Sequence, residues 1–300
     1  KLDDIYVAGN FNGWNPADAS TKMKQFGNSR KLLVFSNIGE SMYEFKFTRG
    51  SWDKVETTAT GEDVANHVVE VKGDTTVSYS VAGWHDDYPE KIKLNTASDQ
   101  VRIIDTAFFM PQLNRHRRIW IYLPAGYDVE KNKLYPVLYM HDGQNLFNEQ
   151  TAPYGEWGID ECLDTLQKKI NKPCIVVAID HGGDKRINEY NPYDNAEYGK
   201  GEGAAYTLFL VQTLKPFIDG HYRTLKDAGN TFIAGSSMGG LISLYAIVKY
   251  PDVFGKAGIF SPAFWVAPQL YDDVAKADFK TMHYLFLYAG GKESKTMVED

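Results

Sequence analysis

The segment TFIAGSSMGGLISLYAIVKYP, residues 231 to 251, constrains the chain most, because it reads as strand, tight turn and helix in immediate succession. Thr231 to Ala234 is a short apolar, β-branched run. Leu241, Leu244, Tyr245 and Val248 then recur at helical spacing until Pro251 ends the pattern. The turn between them has the form G-x-S-x-G around Ser237. Such a turn forces its central residue into a strained backbone, and Gly235 and Gly239 lack side chains where neighbouring backbone must approach. Ser237 is thereby lifted clear of the sheet at a helix N-terminus, where free N–H groups and the positive end of the dipole favour a developing oxyanion. That is the position of a nucleophile. A plain strand-to-helix turn or a phosphate cradle are the other uses of glycine and serine here, but neither the Walker nor the dinucleotide glycine spacing occurs.

Around that turn the chain changes character once. Residues 1–85 show short alternating runs separated by turn residues, at Ile5 to Ala8, Leu32 to Phe35, Tyr43 to Phe47, Val68 to Val71 and Thr76 to Val81. This pattern predicts an all-β, immunoglobulin-like antiparallel sandwich. From about residue 100, apolar strands alternate with helices. Val137 to Met140, Ile175 to Ile179, Phe232 and Ile233, Gly258 to Phe260 and Tyr284 to Tyr288 lack polar alternation, as strands buried on both faces do. The prediction is an α/β domain over residues 100–300, a mostly parallel sheet with helices on both faces, reached through a charged linker at 86–99 that carries Pro89. No internal repeat or low-complexity tract interrupts either part.

Charge and cysteine content narrow the partners. With 32 Lys and Arg against 39 Asp and Glu, the net charge of −7 argues against nucleic acid. The one basic group, Arg115, Arg117 and Arg118, sits beside a predicted strand, Ile119 to Leu123, and reads as a solvated strand entrance. No run has the length of a membrane span, and the sequence starts at Lys1 without a signal-like segment, which fits a start after a processed leader or a cloning cut. Cys162 in a predicted helix and Cys174 at a strand start form neither a disulfide framework nor a metal-ligand spacing, and both read as buried thiols.

Acyl transfer by a serine needs a base, an acid to hold it and donors for the oxyanion. The donors are the easiest to place. The strand Val137 to Met140 runs into HDGQNLF, residues 141 to 147, where Gly143 permits close approach and Gln144 offers a backbone N–H; Met238, directly after Ser237, offers another. The same HDGQ run is also compatible with an ordinary strand-end turn.

Six motifs in order, HDGQNLF, AID with Arg186 and EYNP (189–192), FIDGHYRT, AGSSMGGLISLY, YPDVFGKAGIFSPAFW and YAGGKES, resemble the esterase D group of α/β-hydrolases over roughly residues 100 to 300. That group includes carbohydrate esterases of family 1, such as feruloyl and acetylxylan esterases, along with siderophore esterases and mycolyl transferases. The resemblance implies that Glu293 in YAGGKES is the triad acid, in place of the commoner Asp. It places the catalytic His after that acid, yet no His follows Glu293. His141 and His181 stand at strand ends near the expected site, His283 at the far end of its strand, and His67, His85, His116 and His221 elsewhere. Neither His141 nor His181 is assigned as base. The expectation is that the His lies beyond Asp300, after a helix that Lys295, Thr296, Met297 and Val298 begin. The resemblance also makes Arg186, Glu189, Tyr190, Phe264 and Trp265 candidate walls of the acyl pocket, each with a core or ion-pair role as its alternative.

In the first domain, VAGNFNGWNP, YEFKFTRGSWDKVE and VANHVVEV resemble the glycogen- and starch-binding modules of carbohydrate-binding family 48. The matching sugar-contact positions are Trp14, Lys46, Trp52 and Asn66: indoles stack on a pyranose face, and the lysine and asparagine hydrogen-bond hydroxyls. A rigid scaffold beside the second domain is the equally weighted alternative.

Together these readings imply a secreted, periplasmic or cell-surface serine esterase removing feruloyl or acetyl groups from a polysaccharide or oligosaccharide ester such as xylan, with no metal, no cofactor and no nucleic-acid partner. Two rivals stay open: an acyltransferase on the same fold, distinguished by a preference for sugar acceptors over water, and a noncatalytic glycan-binding protein with a relic hydrolase domain.

Overall fold

A computed structural model describes residues 4–89, 93–153, 155–291 and 293. The chain divides into two compact units, residues 1–92 and 93–300. The expected linker is therefore split. Its second half belongs to unit 2, where Ser98 N–H donates to Asp160 at 2.8 Å and Asn148 donates to Asn95 at 2.9 Å.

Unit 1 is built from short strands: β1 (Tyr6–Gly9), β2 (Lys24–Gln25), β3 (Lys31–Leu32), β4 (Ser41–Thr48), β5 (Glu56–Thr57), β6 (His67–Val71) and β7 (Gly83–Trp84). They form small antiparallel sheets, β1-β4-β6, β2-β3 and β5-β7. Alternation decides which side is core. Phe45 and Phe47 on β4 pack with Val7, while Glu44 and Lys46 point away. The predicted strand at Thr76 to Val81 is a correction, since that segment joins no ladder. Val77 is exposed, and Tyr79 attaches by ring contacts with Phe45 and His67.

Unit 2 contains β8 (Val101–Met110), β9 (Arg115–Tyr122), β10 (Val137–His141), α1 (Ile159–Ile170), β11 (Ile175–Ile179), α2 (Arg186–Tyr190), α3 (Gly203–Phe209), α4 (Lys215–His221), β12 (Thr231–Ser236), α5 (Met238–Lys249), β13 (Lys256–Phe260), α6 (Gln269–Ala275) and β14 (Tyr284–Tyr288). One sheet runs β14-β13-β12-β10-β11-β9-β8. Its first five strands are parallel, and β9 and β8 join antiparallel. Alternate residues feed two cores. Tyr139, Val177 and Ile233 meet α3, α4 and α5 on one face, whereas Met140, Ala178 and Ala234 meet α1 on the other. α1 suits its surface place, with Asp160 and Glu161 in its first turn and Lys168 and Lys169 in its last, matching the dipole. α5 is buried from Met238 to Ile247 and packs on β12 and β13.

Three expectations are corrected here. β14 pairs with β13, but its five side chains, expected to be buried, are exposed, Phe286 to 61%. Cys162 is exposed because it lies on the solvent face of α1. Arg115 and Arg117 are not a solvated entrance: alternation on β9 turns both toward Glu189, a carboxylate with 0% exposure, while Arg118 faces the other way to Asp180. The helix expected from Lys295 lies outside the described residues.

Candidate active site

Ser237 sits between β12 and α5 with φ 56° and ψ −120°, a conformation serine avoids. Both its backbone groups are tied to the end of β13 and the segment after it: Ser237 N–H donates to Phe260 O at 2.9 Å, and Ala263 N–H donates to Ser237 O at 3.1 Å. Gly235 meets backbone as expected, whereas Gly239 meets side chains. A Cβ on Gly235 would stand 2.7 Å from the Gly239 backbone, and one on Gly239 would press on His141 and Asp142. Gly143 likewise approaches β11, where a Cβ would lie 2.9 Å from Ala178 C and Ile179 N.

A cavity of about 140 Å³ opens on Ser237, walled by His141, Asp142, Asn145, Trp157 and Arg186 among others. Asp142 has φ 56° and takes a two-pronged ion pair from Arg186, Nε to Oδ1 at 2.7 Å and Nη2 to Oδ2 at 2.8 Å. Arg186 also lies over the Tyr190 ring. His141 is buried with Nδ1 2.9 Å from the Tyr206 hydroxyl, and burial pushes its imidazole down to about 4, so it is neutral. Trp157 packs edge-on against Phe260.

Met238 opens α5 and Gln144 lies in the short 3-10 turn Gly143–Asn145, where the first N–H groups have no intrahelical acceptor. Thr151 Oγ1 donates to Gln144 O at 2.7 Å, which holds the peptide that follows the Gln144 N–H. The Gln144 side chain takes the His181 N–H at 3.2 Å and lines a second, wider cavity of about 370 Å³ with Arg118, Asp180 and His181. In that cavity burial raises the Asp180 carboxyl, opposed by bonds from Trp120 and Arg118.

Of the other residues singled out in the sequence, Arg186 lines the Ser237 cavity, and Glu189 and Tyr190 do not. Glu189 accepts from Arg115 at 2.8 Å and from Arg117 at 2.7 Å through each oxygen, which anchors α2 to β9. Tyr190 is buried and its hydroxyl takes the Asp142 N–H at 3.3 Å. Both therefore touch the cavity only through α2 and Asp142. Trp265 is 62% exposed on a 3-10 turn outside the lining of either cavity. Glu293 follows β14, and its Oε1 accepts from Ser261 Oγ at 2.7 Å and from Gly290 N–H at 2.9 Å. Among the described residues no histidine ring bonds Ser237 or Glu293; His181 Nδ1 accepts from Gly183 N–H, and His283 bonds backbone carbonyls. Asp142 and Trp157 were missed from sequence. The D-G pair ending a strand was a usable signal for Asp142, and Trp157 carried none. The carboxylates Glu156, Asp160 and Glu161 cluster at the start of α1 closely enough to share an ion.

In unit 1, Trp14 and Trp52 stand together, ring centres 6.4 Å apart and planes at 39°. Lys46 Nζ donates to Val64 O at 2.7 Å, and Asn66 donates to Glu44 at 3.2 Å. No helix of the described residues is long and apolar enough to cross a membrane.

Residues 111–293 match the family model Esterase. The chain is 30% identical over 157 residues to the uncharacterized protein YbbA of Bacillus subtilis, covering 50% of this chain and 58% of that one. It is 31% identical over 180 residues to the endo-1,4-beta-xylanase/feruloyl esterase of Xylanibacter ruminicola, covering 58% of this chain and 22% of that protein. It thus spans less than two thirds of the length of either relative. Among solved structures, the BES protein from Bacillus cereus aligns with a TM-score of 0.53 at 20% identity, over 75% of this chain and 82% of that one, a likeness of fold.

Proposed function

The chain belongs to the Esterase family, and on that premise we propose that it hydrolyses carboxylic esters through an acyl-enzyme on Ser237, removing feruloyl or acetyl groups from xylan or a related polysaccharide. The observation that carries the reading is the strained Ser237 turn, with φ 56°, at the mouth of a cavity and the start of a buried helix. The choice of acyl group is supported by the likeness to the endo-1,4-beta-xylanase/feruloyl esterase of Xylanibacter ruminicola.

In the proposed reaction, Ser237 Oγ bonds to the ester carbonyl carbon while its proton passes to a base. The carbonyl oxygen becomes an oxyanion facing the N–H groups of Met238 and Gln144. Collapse breaks the bond to the sugar oxygen, which leaves with that proton, and water then releases the acid from Ser237 by the same steps. Glu293 orients the base, which in the esterase D resemblance is a histidine later in the chain. Arg186, held by Asp142, borders the acyl group. The paired indoles of Trp14 and Trp52 support reading unit 1 as a sugar-binding sandwich that retains the enzyme on its polymer.

The test is hydrolysis of methyl ferulate and of acetylated xylan by the protein as its natural gene encodes it, beside Ser237→Ala. Ser237→Ala should lower turnover by about a thousandfold or more. Turnover that survives the substitution refutes the nucleophile. Glycan retention without turnover of either ester by the wild type supports the noncatalytic reading instead, and acyl transfer to sugar in preference to water supports the transferase.

A further inference from the structure

We infer that Ser261 is a positioning residue that fixes the Glu293 carboxylate relative to the Ser237 turn, an inference that rests on the reading of Glu293 as the acid. Ser261 follows β13 directly and holds φ 43°, a left-handed conformation that a serine adopts only where its surroundings impose it. Three hydrogen bonds meet at this turn. Ser261 N–H donates to Tyr288 O at 2.6 Å, which ties the end of β13 to the end of β14. Ser261 Oγ donates to Glu293 Oε1 at 2.7 Å. Gly290 N–H donates to the same oxygen at 2.9 Å, and any side chain at Gly290 would put its Cβ 2.4 Å from that oxygen.

The neighbours of Ser261 hold the other end. Phe260 O takes the Ser237 N–H, and Ala263 N–H goes to Ser237 O. Four consecutive residues, Phe260 to Ala263, therefore grip the nucleophile by its backbone and the carboxylate by one oxygen. That grip matters because Glu293 lies on a loop after an exposed edge strand. Its side chain has more rotatable bonds than the commoner aspartate, and an unrestrained carboxylate would seldom face the base. With Oε1 committed to Ser261 and Gly290, Oε2 is the oxygen left to accept the ring N–H of a base.

Steady-state hydrolysis of 4-nitrophenyl acetate by the protein as its natural gene encodes it and by its Ser261→Gly, Glu293→Ala and double variants tests this. Glycine keeps the left-handed backbone and removes the hydroxymethyl group that carries the hydrogen bond. Ser261→Gly should lower kcat about a hundredfold with KM nearly unchanged. It should also move the acid limb of the kcat/KM profile to lower pH, since a misplaced carboxylate no longer favours the charged base. In the Glu293→Ala background, Ser261→Gly should change kcat less than about twofold, because the two act as one unit. An effect of Ser261→Gly that persists in full without Glu293 overturns the inference, as does a wild-type kcat for Ser261→Gly beside a crippled Glu293→Ala. If Glu293→Ala itself turns over normally, the acid reading falls instead, and a wild type inert toward this ester sinks the esterase reading as a whole.

Discussion

Acid should destabilise unit 2 through His141. The side chain is buried at the end of β10, with Nδ1 2.9 Å from the Tyr206 hydroxyl and Nε2 without a partner among the described residues. Burial pushes its imidazole from the ordinary 6.5 down to about 4, so folding favours the neutral ring. A histidine lowered in the fold contributes stability that is fully present above 6.5, wanes as pH falls, and is gone below about 4, where both states are charged. At about 1.36 kcal/mol per pH unit, the gap amounts to about 3 kcal/mol. His141→Gln removes the titration and can still accept from Tyr206. Native-state amide exchange of β10 and β12, followed by mass spectrometry from pH 7 to 4, reports unit 2 separately from unit 1. Wild type should lose about 3 kcal/mol more opening free energy over that range than His141→Gln does. Equal losses in the two proteins would refute the argument, since the ring would then titrate alike folded and unfolded.

Glu189→Ala should cost about 3–5 kcal/mol in urea unfolding, because it strands Arg117, 9% exposed, without its carboxylate. The same change should loosen α2 and raise KM through Arg186. Trp52→Ala should weaken retention on a polysaccharide affinity gel about tenfold or more while leaving hydrolysis of a small soluble ester unchanged; unaltered retention would favour the scaffold role for unit 1.

Local pattern and tertiary structure divided the work unevenly. The turn at Ser237, the helix after it and the close approaches at Gly235 and Gly143 were legible because each follows from backbone geometry within a few residues. So were the parallel strands β10 to β13, whose apolar runs require cover on both faces. The same rule misled at β14, because an apolar run does not say which elements cover the faces of its strand. Arg115 looked like a solvated charge in its own sequence neighbourhood, and Glu189, 74 residues on, like a pocket wall with an ion-pair role as the alternative. Only the packing of α2 on β9 made them a buried network, and this took Glu189 out of the pocket while leaving Arg186 in it. The sequence by itself determined which residue takes the strained turn between β12 and α5, since that depends on glycines beside a serine. The tertiary structure alone decided which charges surround it and that Ser261 meets Glu293, since Coulomb forces and hydrogen bonds act through space between strand ends that the sheet brings together.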